Sequence, residues 1–211
     1  MNKFIYFLLL IFTSSFMQSC SDDDDPAESY ETELVDLLTD ESGIGRTIIT
    51  DGGNRLLLHN PQQGYAPDTI YRCIAMFVRK KDGVNLANIA RIPCTAPSYF
   101  KNTPIITDSL KLQSIWRGSH YVNISLLVQM KDQRHSFGFA NPHISTYTDG
   151  HRRLDILLYH NANNDVPAFY NTAYLSCDIA GYADSLIAGR DSVSFLINEY
   201  GKGPKQYAVT Y

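Results

Sequence analysis

The chain has 211 residues, of which 44% are hydrophobic and 19% are charged, and its formal net charge is −4. This length is enough to bury two small hydrophobic cores. The slight acidic excess disfavours nucleic-acid binding, because no basic field is available to gather phosphates. A lone Gly43-x-Gly45 pair precedes a strand and not a helix, so neither a nucleotide loop nor a cofactor is predicted.

The first 19 residues have the pattern of an export signal. Lys3 supplies a positive charge, and residues 4–12 (FIYFLLLIF) form an apolar run about half as long as a membrane-spanning helix requires. Ser19 stands directly before Cys20, an order that resembles the lipobox of bacterial lipoproteins, with Met17 replacing the usual aliphatic residue. We predict a cleaved signal over residues 1–19 and lipidation of Cys20. The alternative is an ordinary secretory signal that ends by chance at a cysteine.

Residues 20–30 are predicted to be a disordered acidic tether, because adjacent like charges repel one another and oppose packing. The acidic run also resembles the signal that directs Bacteroidota lipoproteins to the outer face of the outer membrane, although a generic solubilising linker is the alternative. The prediction is a protein anchored in the outer membrane by acyl chains on Cys20 and exposed at the cell surface. The export signal would comprise Ser21, Asp22, Asp23, Asp24 and Asp25.

The acidity of the chain is concentrated before residue 34. Once the seven acidic residues of this region and Lys3 are set aside, 17 basic and 15 acidic residues remain, so the charge of the body is nearly balanced. We assign seven acidic residues to the tether region: Asp22, Asp23, Asp24, Asp25, Glu28, Glu31 and Glu33.

Three cysteines remain after the anchor: Cys73, Cys94 and Cys177. Export places them where disulfides persist, and an odd number allows at most one bridge. Cys73 and Cys94 lie in or after neighbouring strand-like segments, so a disulfide between them is one prediction. Three buried thiols that act as small hydrophobic side chains are the alternative.

Residues 31–104 are predicted to form a small closed β-barrel of five short strands. Hairpin turns are indicated at residues 51–54 (DGGN) and 81–83 (KDG). In TIYRCIAMFV, one face carries Tyr71, Cys73, Ala75 and Phe77, and the other face is apolar except for Arg72. A strand that is apolar on both faces belongs in a closed or covered sheet. A helical turn at TELVDLLTDE is the one departure that we expect from strand pattern.

Residues 105–211 are predicted to form an antiparallel β-sandwich. Three prolines, at positions 93, 97 and 104, interrupt the strand pattern, and we place the domain boundary after them. Six or seven strands follow at regular spacing. Residues 184–192 (DSLIAGRDS) are too short for a substantial helix and are predicted to be a turn and a strand edge.

The order of these features resembles the NigD-like lipoproteins of the Bacteroidota. The resemblance rests on residues 114–139 (SIWRGSHYVNISLLVQMKDQRHSFGF), on residues 153–165 (RLDILLYHNANND) and on the closing DSVSFLINEYGKGPKQYAVTY. It implies an N-terminal OB-like barrel followed by a C-terminal β-sandwich. It also implies an association with bacteriocins, as an accessory or immunity protein.

No catalytic or metal-binding signature is present. His135, His143, His151 and His160 fall in one run of strands and could converge with Asp155, but no spacing fixes two ligands on one face. There is no G-x-S-x-G motif, and Cys177 is not accompanied by a recognisable motif for a catalytic partner. We predict neither an enzyme nor a metal site.

Binding is the predicted activity. Trp116, Arg117, His120 and Tyr121 lie close together in SIWRGSHY, and tryptophan and arginine are frequent at binding hot spots. The competing interpretation is that Trp116 is a core or interdomain residue. Two functions stay open: a non-catalytic surface lipoprotein that binds a protein partner, and a carbohydrate-binding lipoprotein that assists glycan capture.

Overall fold

The structure is a computed structural model that describes residues 29–101 and 104–211, and it consists almost entirely of β-strands. The predicted all-β fold is confirmed. The predicted signal peptide, Cys20 and the export signal at residues 21–25 lie outside the described residues. Within these residues, no helix has the length and apolar character needed to cross a bilayer.

The N-terminal half is a closed five-stranded barrel, as predicted. Its strands are β1 (Tyr30–Thr39), β2 (Gly45–Thr50), β3 (Arg55–Gln62), β4 (Ile70–Lys80) and β5 (Gly83–Arg91). They follow the order β1-β2-β3-β5-β4, and β4 closes the barrel by pairing antiparallel to β1. β3 and β5 run parallel where Leu58 pairs with Val84. This is an OB-like architecture.

Side-chain alternation places the barrel core. Cys73, Ala75 and Phe77 of β4 point inward and are fully buried, as the sequence pattern indicated. The predicted helical turn at TELVDLLTDE is wrong, because this segment is strand β1. Val35 and Leu37 of that strand enter the same core two residues apart, which is the strand period and not the helical one.

The tight turns use glycine for two different reasons. Gly53, between β2 and β3, has a φ of 81°, a conformation that residues with a Cβ rarely adopt. Gly83, after the β4–β5 turn, is required by a close approach, because a Cβ there would lie 2.6 Å from the carbonyl oxygen of Leu57.

The C-terminal half is a sandwich of two four-stranded sheets, and its core lies between them. One sheet has the order β13-β12-β10-β9 and the other β6-β11-β8-β7. Two pairings are parallel, β10 with β12 and β6 with β11, so the sandwich is not purely antiparallel as predicted. The reason is that β11 lies in the opposite sheet, between β10 and β12 in sequence. The strands are β6 (Cys94–Thr95), β7 (Lys111–Gly118), β8 (Tyr121–Met130), β9 (Ser136–Thr146), β10 (Arg152–Asn161), β11 (Phe169–Asp178), β12 (Ser192–Glu199) and β13 (Gly203–Thr210).

The connection between β11 and β12 holds a single short 3₁₀ helix, Ala180–Tyr182. Turns follow it up to β12, and this agrees with the turn and strand edge predicted for residues 184–192.

One boundary and one assignment differ from the sequence-based prediction. β6 and Ser98 already pair with sandwich strands, so the barrel ends at Arg91 and the division between the halves lies well before residue 104. At the other end, Glu31 and Glu33 belong to β1 and not to the tether. Both form ion pairs with Arg79, at 2.8 and 3.5 Å.

Candidate functional site

One buried arginine joins the barrel to the sandwich. Arg72 lies on the outer face of β4, yet its side chain is only 2% exposed. Its Nη1 donates to Asp36 Oδ1 at 3.3 Å, and its Nη2 donates to Asp51 Oδ1 at 2.5 Å, both within the barrel. Its Nε donates to Ser176 Oγ, and Nη2 also donates to Asn123 Oδ1, each at 3.0 Å, in the sandwich. A buried guanidinium is tolerated because carboxylates balance its charge and hydrogen bonds satisfy its donors.

Further polar contacts tighten this Arg72 junction. Asn123 Nδ2 donates to Asp51 Oδ2 at 2.7 Å, and Ser176 Oγ donates to Asn123 Oδ1 at 2.7 Å. The ring of Tyr121 lies beneath the guanidinium, with its centroid 4.2 Å from Arg72 Cζ. Because these groups come from both halves, the network orients the barrel relative to the sandwich.

Gly118, at the end of β7, lets the Asp51 carboxylate reach the sandwich. A Cβ at this position would lie 2.1 Å from Asp51 Oδ2 and 2.7 Å from Asn123 Nδ2. No ordinary residue fits there unless the junction opens.

We expect Gly118→Ala to lower the free energy of unfolding by about 1–3 kcal/mol, the usual cost of overpacking a filled site. Gly181→Ala is the matched control, because no atom lies within 4 Å of its Cβ position. Urea denaturation of both variants measures the difference. Equal stability of the two variants would show that the close approach is not maintained.

A crevice of about 460 Å³ opens beside the junction, between the two halves. Its sandwich wall carries His120, Tyr121, Asp178 and Cys94. Its barrel wall comprises Asp36, Ile70, Tyr71, Arg72, Arg91 and Ile92.

Charge is divided across the crevice. Arg91, on the barrel wall, is exposed and lies over the ring of Tyr71, with its Cζ 5.1 Å from the ring centroid. Asp178, on the sandwich wall, accepts a hydrogen bond from the backbone N–H of Ala180. Apart from the paired Asp36 and Arg72, the crevice therefore offers a cation on its barrel wall, a carboxylate on its sandwich wall and the aromatic rings of Tyr71 and Tyr121.

The Cys94 thiol and the Tyr121 hydroxyl, which both line the crevice, are held in their protonated forms. Burial and, to a smaller extent, the nearby Asp178 carboxylate raise the pKa of the Cys94 thiol to about 11. Burial also raises the pKa of Tyr121, and so does the Asp36 carboxylate beside its hydroxyl. A neutral thiol is a poor nucleophile, so the geometry suits binding better than nucleophilic chemistry.

The four residues nominated from the sequence are separated by strand alternation. His120 and Tyr121 line the crevice, and their rings lie 4.0 Å apart. Trp116 is half-buried and sits opposite Asn123, on the sheet face that carries the Arg72 junction. Arg117 points to the other face, where its Cζ lies 4.7 Å from the ring centroid of Tyr211.

Sequence reasoning missed the residues that make the junction and much of the crevice. A signal for Arg72 was present, because it is the one charged residue within the otherwise largely apolar segment TIYRCIAMFV. No local pattern marks the other missed residues, which are Asp36, Asp51, Asn123, Ser176, Arg91 and Asp178.

The disulfide suggested between Cys73 and Cys94 is not formed, since Cys73, Cys94 and Cys177 are all free. Cys73 points into the barrel core, where burial raises the pKa of its thiol to about 12. Cys94 belongs to β6 and pairs with Ser176 of β11 instead. The alternative, small buried side chains, describes Cys73 and Cys177.

The suggested convergence of histidines on Asp155 is also wrong. His135 contacts His160, and His151 stacks on Tyr147 and bonds to Asp149, while His143 is exposed. Across residues 29–101 and 104–211, no group of three or more His, Cys, Asp or Glu side chains could hold a metal ion.

Comparison with protein families assigns the sandwich half. The profile of the NigD-like C-terminal beta sandwich domain matches residues 93–211, more than half of the chain. The chain belongs to the NigD-like family. The matched region of this NigD-like protein begins just before β6, where the structure also divides the two halves.

Solved structures share the complete two-part fold. A NigD-like immunity protein from Bacteroides caccae is 22% identical with a TM-score of 0.67, covering 85% of this chain and 91% of that chain. A candidate toxin-related protein from Parabacteroides distasonis is 17% identical with a TM-score of 0.63, covering 87% and 93%. A candidate lipoprotein from Bacteroides fragilis is 12% identical with a TM-score of 0.61, covering 87% and 98%. A search of curated proteins gives no match.

Proposed function

We propose that this NigD-like protein is a non-catalytic, lipid-anchored protein of the cell envelope that binds a protein partner in the crevice between its two halves. The observation that carries the proposal is the crevice itself, which Arg91 lines from the barrel and Asp178 lines from the sandwich, beside the Arg72 junction that connects the two halves. Opposed charges above an aromatic surface suit a polypeptide segment, which presents both signs of charge and apolar side chains.

The partner proposed is a bacteriocin-type toxin or an envelope protein associated with one, and the role is accessory or immunity-related. Two structural relatives support this direction, since one is described as an immunity protein and another as a candidate toxin-related protein. The raised pKa values of Cys94 and Tyr121 support binding over catalysis.

The location proposed is the outer membrane, with the acylated Cys20 as anchor and the body at the cell surface. The order of signal, cysteine and acidic run supports it. A structural relative described as a candidate lipoprotein supports the anchor. Mass spectrometry of the mature N-terminus and protease treatment of intact cells test the two parts separately. A mature chain without fatty acid contradicts the anchor, and protection from protease contradicts surface exposure.

A deletion strain tests the protective role. We expect the deletion strain to be sensitive to a toxin-producing competitor, and we expect complementation with the wild-type gene to restore resistance. The charge reversals Arg91→Glu and Asp178→Lys should reduce that resistance about tenfold. Each variant would repel the group of the partner that pairs with the wild-type charge. Lys111→Glu, an exposed reversal that is not in the crevice, is the matched control.

Full resistance of both crevice variants, at normal protein levels, would overturn the crevice as the binding site. The glycan alternative receives less support, because Trp116 is half-buried on the sheet face of the junction. Binding of a fragment that comprises residues 21–211 to a glycan array would favour that alternative instead, if Trp116→Ala abolished the binding.

A further inference from the structure

A buried chain of hydrogen bonds lies in the sandwich, and none of its residues lines the crevice. Asp165 Oδ2 is 3.4 Å from His135 Nε2, and His135 Nδ1 is 3.0 Å from His160 Nε2. His160 Nδ1 is 2.8 Å from the backbone oxygen of Asp108. The side chains of His135 and Asp165 are 3% and 2% exposed, and His160 is 2% exposed.

Both ends of this chain can only accept hydrogen bonds. The backbone oxygen of Asp108 carries no hydrogen. Burial alone would raise the pKa of Asp165, but the backbone N–H groups of Lys131, Asp132, Gln133 and Val166 outweigh burial and lower it well below its usual range. Asp165 is therefore an ionised carboxylate.

The number of hydrogens in the chain follows from these two ends. His160 Nδ1 must donate to the Asp108 oxygen, and His135 Nε2 must donate to Asp165. One further hydrogen lies between His135 Nδ1 and His160 Nε2. The three contacts thus need three N–H groups, whereas two neutral imidazoles supply only two.

We infer that His135 and His160 together hold one extra proton, and that this proton fixes the loop at residues 162–168 through Asp165. The pair is a monocation opposite one carboxylate, and the charges balance in a buried place. A second extra proton is disfavoured, because it would set two N–H groups against each other. Burial and the neighbouring His135 lower the pKa of His160, while the hydrogen bond to the Asp108 backbone oxygen acts in the opposite direction.

The other charged groups nearby do not replace Asp165 as the counter-charge of the histidine pair. The Asp108 carboxylate accepts the backbone N–H of Ala162, and Lys131 and Asp132 pair with each other on the surface. Phe137, on β9, stacks on His160 with ring planes 5° apart. The other charged residues of the adjoining segments are Arg134, whose backbone oxygen accepts a bond from Asn163, and Glu199, which is paired with Lys202 and Tyr207.

The proton is connected to the surface through Asp165. That carboxylate accepts hydrogen bonds from backbone N–H groups of the loop after β8 and from the backbone N–H of Val166. It therefore connects the loop after β8 to the loop that contains Asp165 and Val166. The second loop presents Val166, which is 62% exposed, and leads into β11, whose first two residues, Phe169 and Tyr170, are each 51% exposed. Loss of the shared proton leaves His135 Nε2 without a hydrogen opposite the carboxylate, and the tie weakens. The order of this apolar loop is thereby made sensitive to pH.

Nitrogen-15 NMR of the histidine rings tests the inference on the wild-type protein. Between about pH 6 and pH 7, we expect protonated nitrogens at His135 Nε2 and at His160 Nδ1, plus one hydrogen shared between the rings. As alkaline pH removes this signal, the exchange protection of the Lys131, Asp132 and Val166 amides should fall about tenfold. Two neutral rings near neutral pH, or unchanged protection, would overturn it.

Asp165→Asn provides the matched variant. Its amide N–H can donate to His135 Nε2, so the chain then needs only two imidazole hydrogens, and the extra proton should be lost at the same pH. Asp155→Asn is the control, because Asp155 is bonded to Arg153, Ser145 and Gln206, away from the histidine pair. Retention of the extra proton in Asp165→Asn would contradict the inference. If that variant fails to fold, the wild-type spectrum still decides.

Discussion

Replacing Arg72 by methionine is expected to lower the free energy of unfolding by about 3–5 kcal/mol, the usual cost of removing one partner from a buried ion pair. Methionine retains much of the side-chain volume but donates no hydrogen bond. The carboxylates of Asp36 and Asp51 would then stand close together without a cation, and Asn123 and Ser176 would lose their donor.

Denaturation in urea, followed by both fluorescence and circular dichroism, measures this loss. Because the junction couples the two halves, we also expect the wild type to unfold in one transition and Arg72→Met to unfold in two. Arg46→Met is the matched control, because its ion pair with Asp40 is exposed and should contribute at most about 1 kcal/mol. If Arg72→Met costs no more than Arg46→Met, the junction does not stabilise the molecule.

Truncation of Phe195 to alanine is the second large effect, and we expect a loss of about 3–5 kcal/mol in unfolding free energy. Phe195 is fully buried in the sandwich core, and its ring meets that of Phe139 edge to face at 5.7 Å. Removing the ring leaves a cavity in the core. Backbone hydrogen bonds make each sheet rigid, so the two sheets cannot move together to fill this cavity.

The adjacent residue provides the control for this experiment. Leu196 lies on the opposite face of β12 and is 40% exposed, so Leu196→Ala should cost about 1 kcal/mol or less. Thermal and urea unfolding of the two variants compare the faces directly. Similar losses for both would mean that β12 does not present Phe195 to the core as described.

These two sites define how the fold supports the proposed function. Each half has its own core, so either half could shift relative to the other if nothing joined them. The Arg72 junction opposes such a shift, and it lies beside the crevice that Arg91 and Asp178 line. A preorganised site of this kind loses less conformational entropy when a partner binds.

Much of the fold could be predicted from the sequence, because local spacing reports it directly. The alternation of Cys73, Ala75 and Phe77 predicted a barrel face, and DGGN predicted the β2–β3 turn. Prediction failed where two signals conflicted. Prolines suggested a boundary near residue 104, but the pairing of β6 with β11 places Cys94 in the sandwich.

The candidate site could be predicted only in part. SIWRGSHY indicated a binding segment, and two of its four nominated residues, His120 and Tyr121, do line the crevice. The other two, Trp116 and Arg117, are directed to opposite faces of β7. The histidine cluster was suspected, but the acid that completes it is Asp165 and not Asp155.

The sequence by itself determined the strand-forming segments and the inward and outward faces of those strands, and it also predicts a location in the cell envelope. Only the tertiary structure decided which outward-facing side chains meet. The partners of Arg72 lie between 21 and 104 positions away along the chain. A period of two residues states which side of a sheet a side chain occupies, but not which other sheet will cover it. That choice depends on how two separately cored halves dock, a contact that no local pattern encodes.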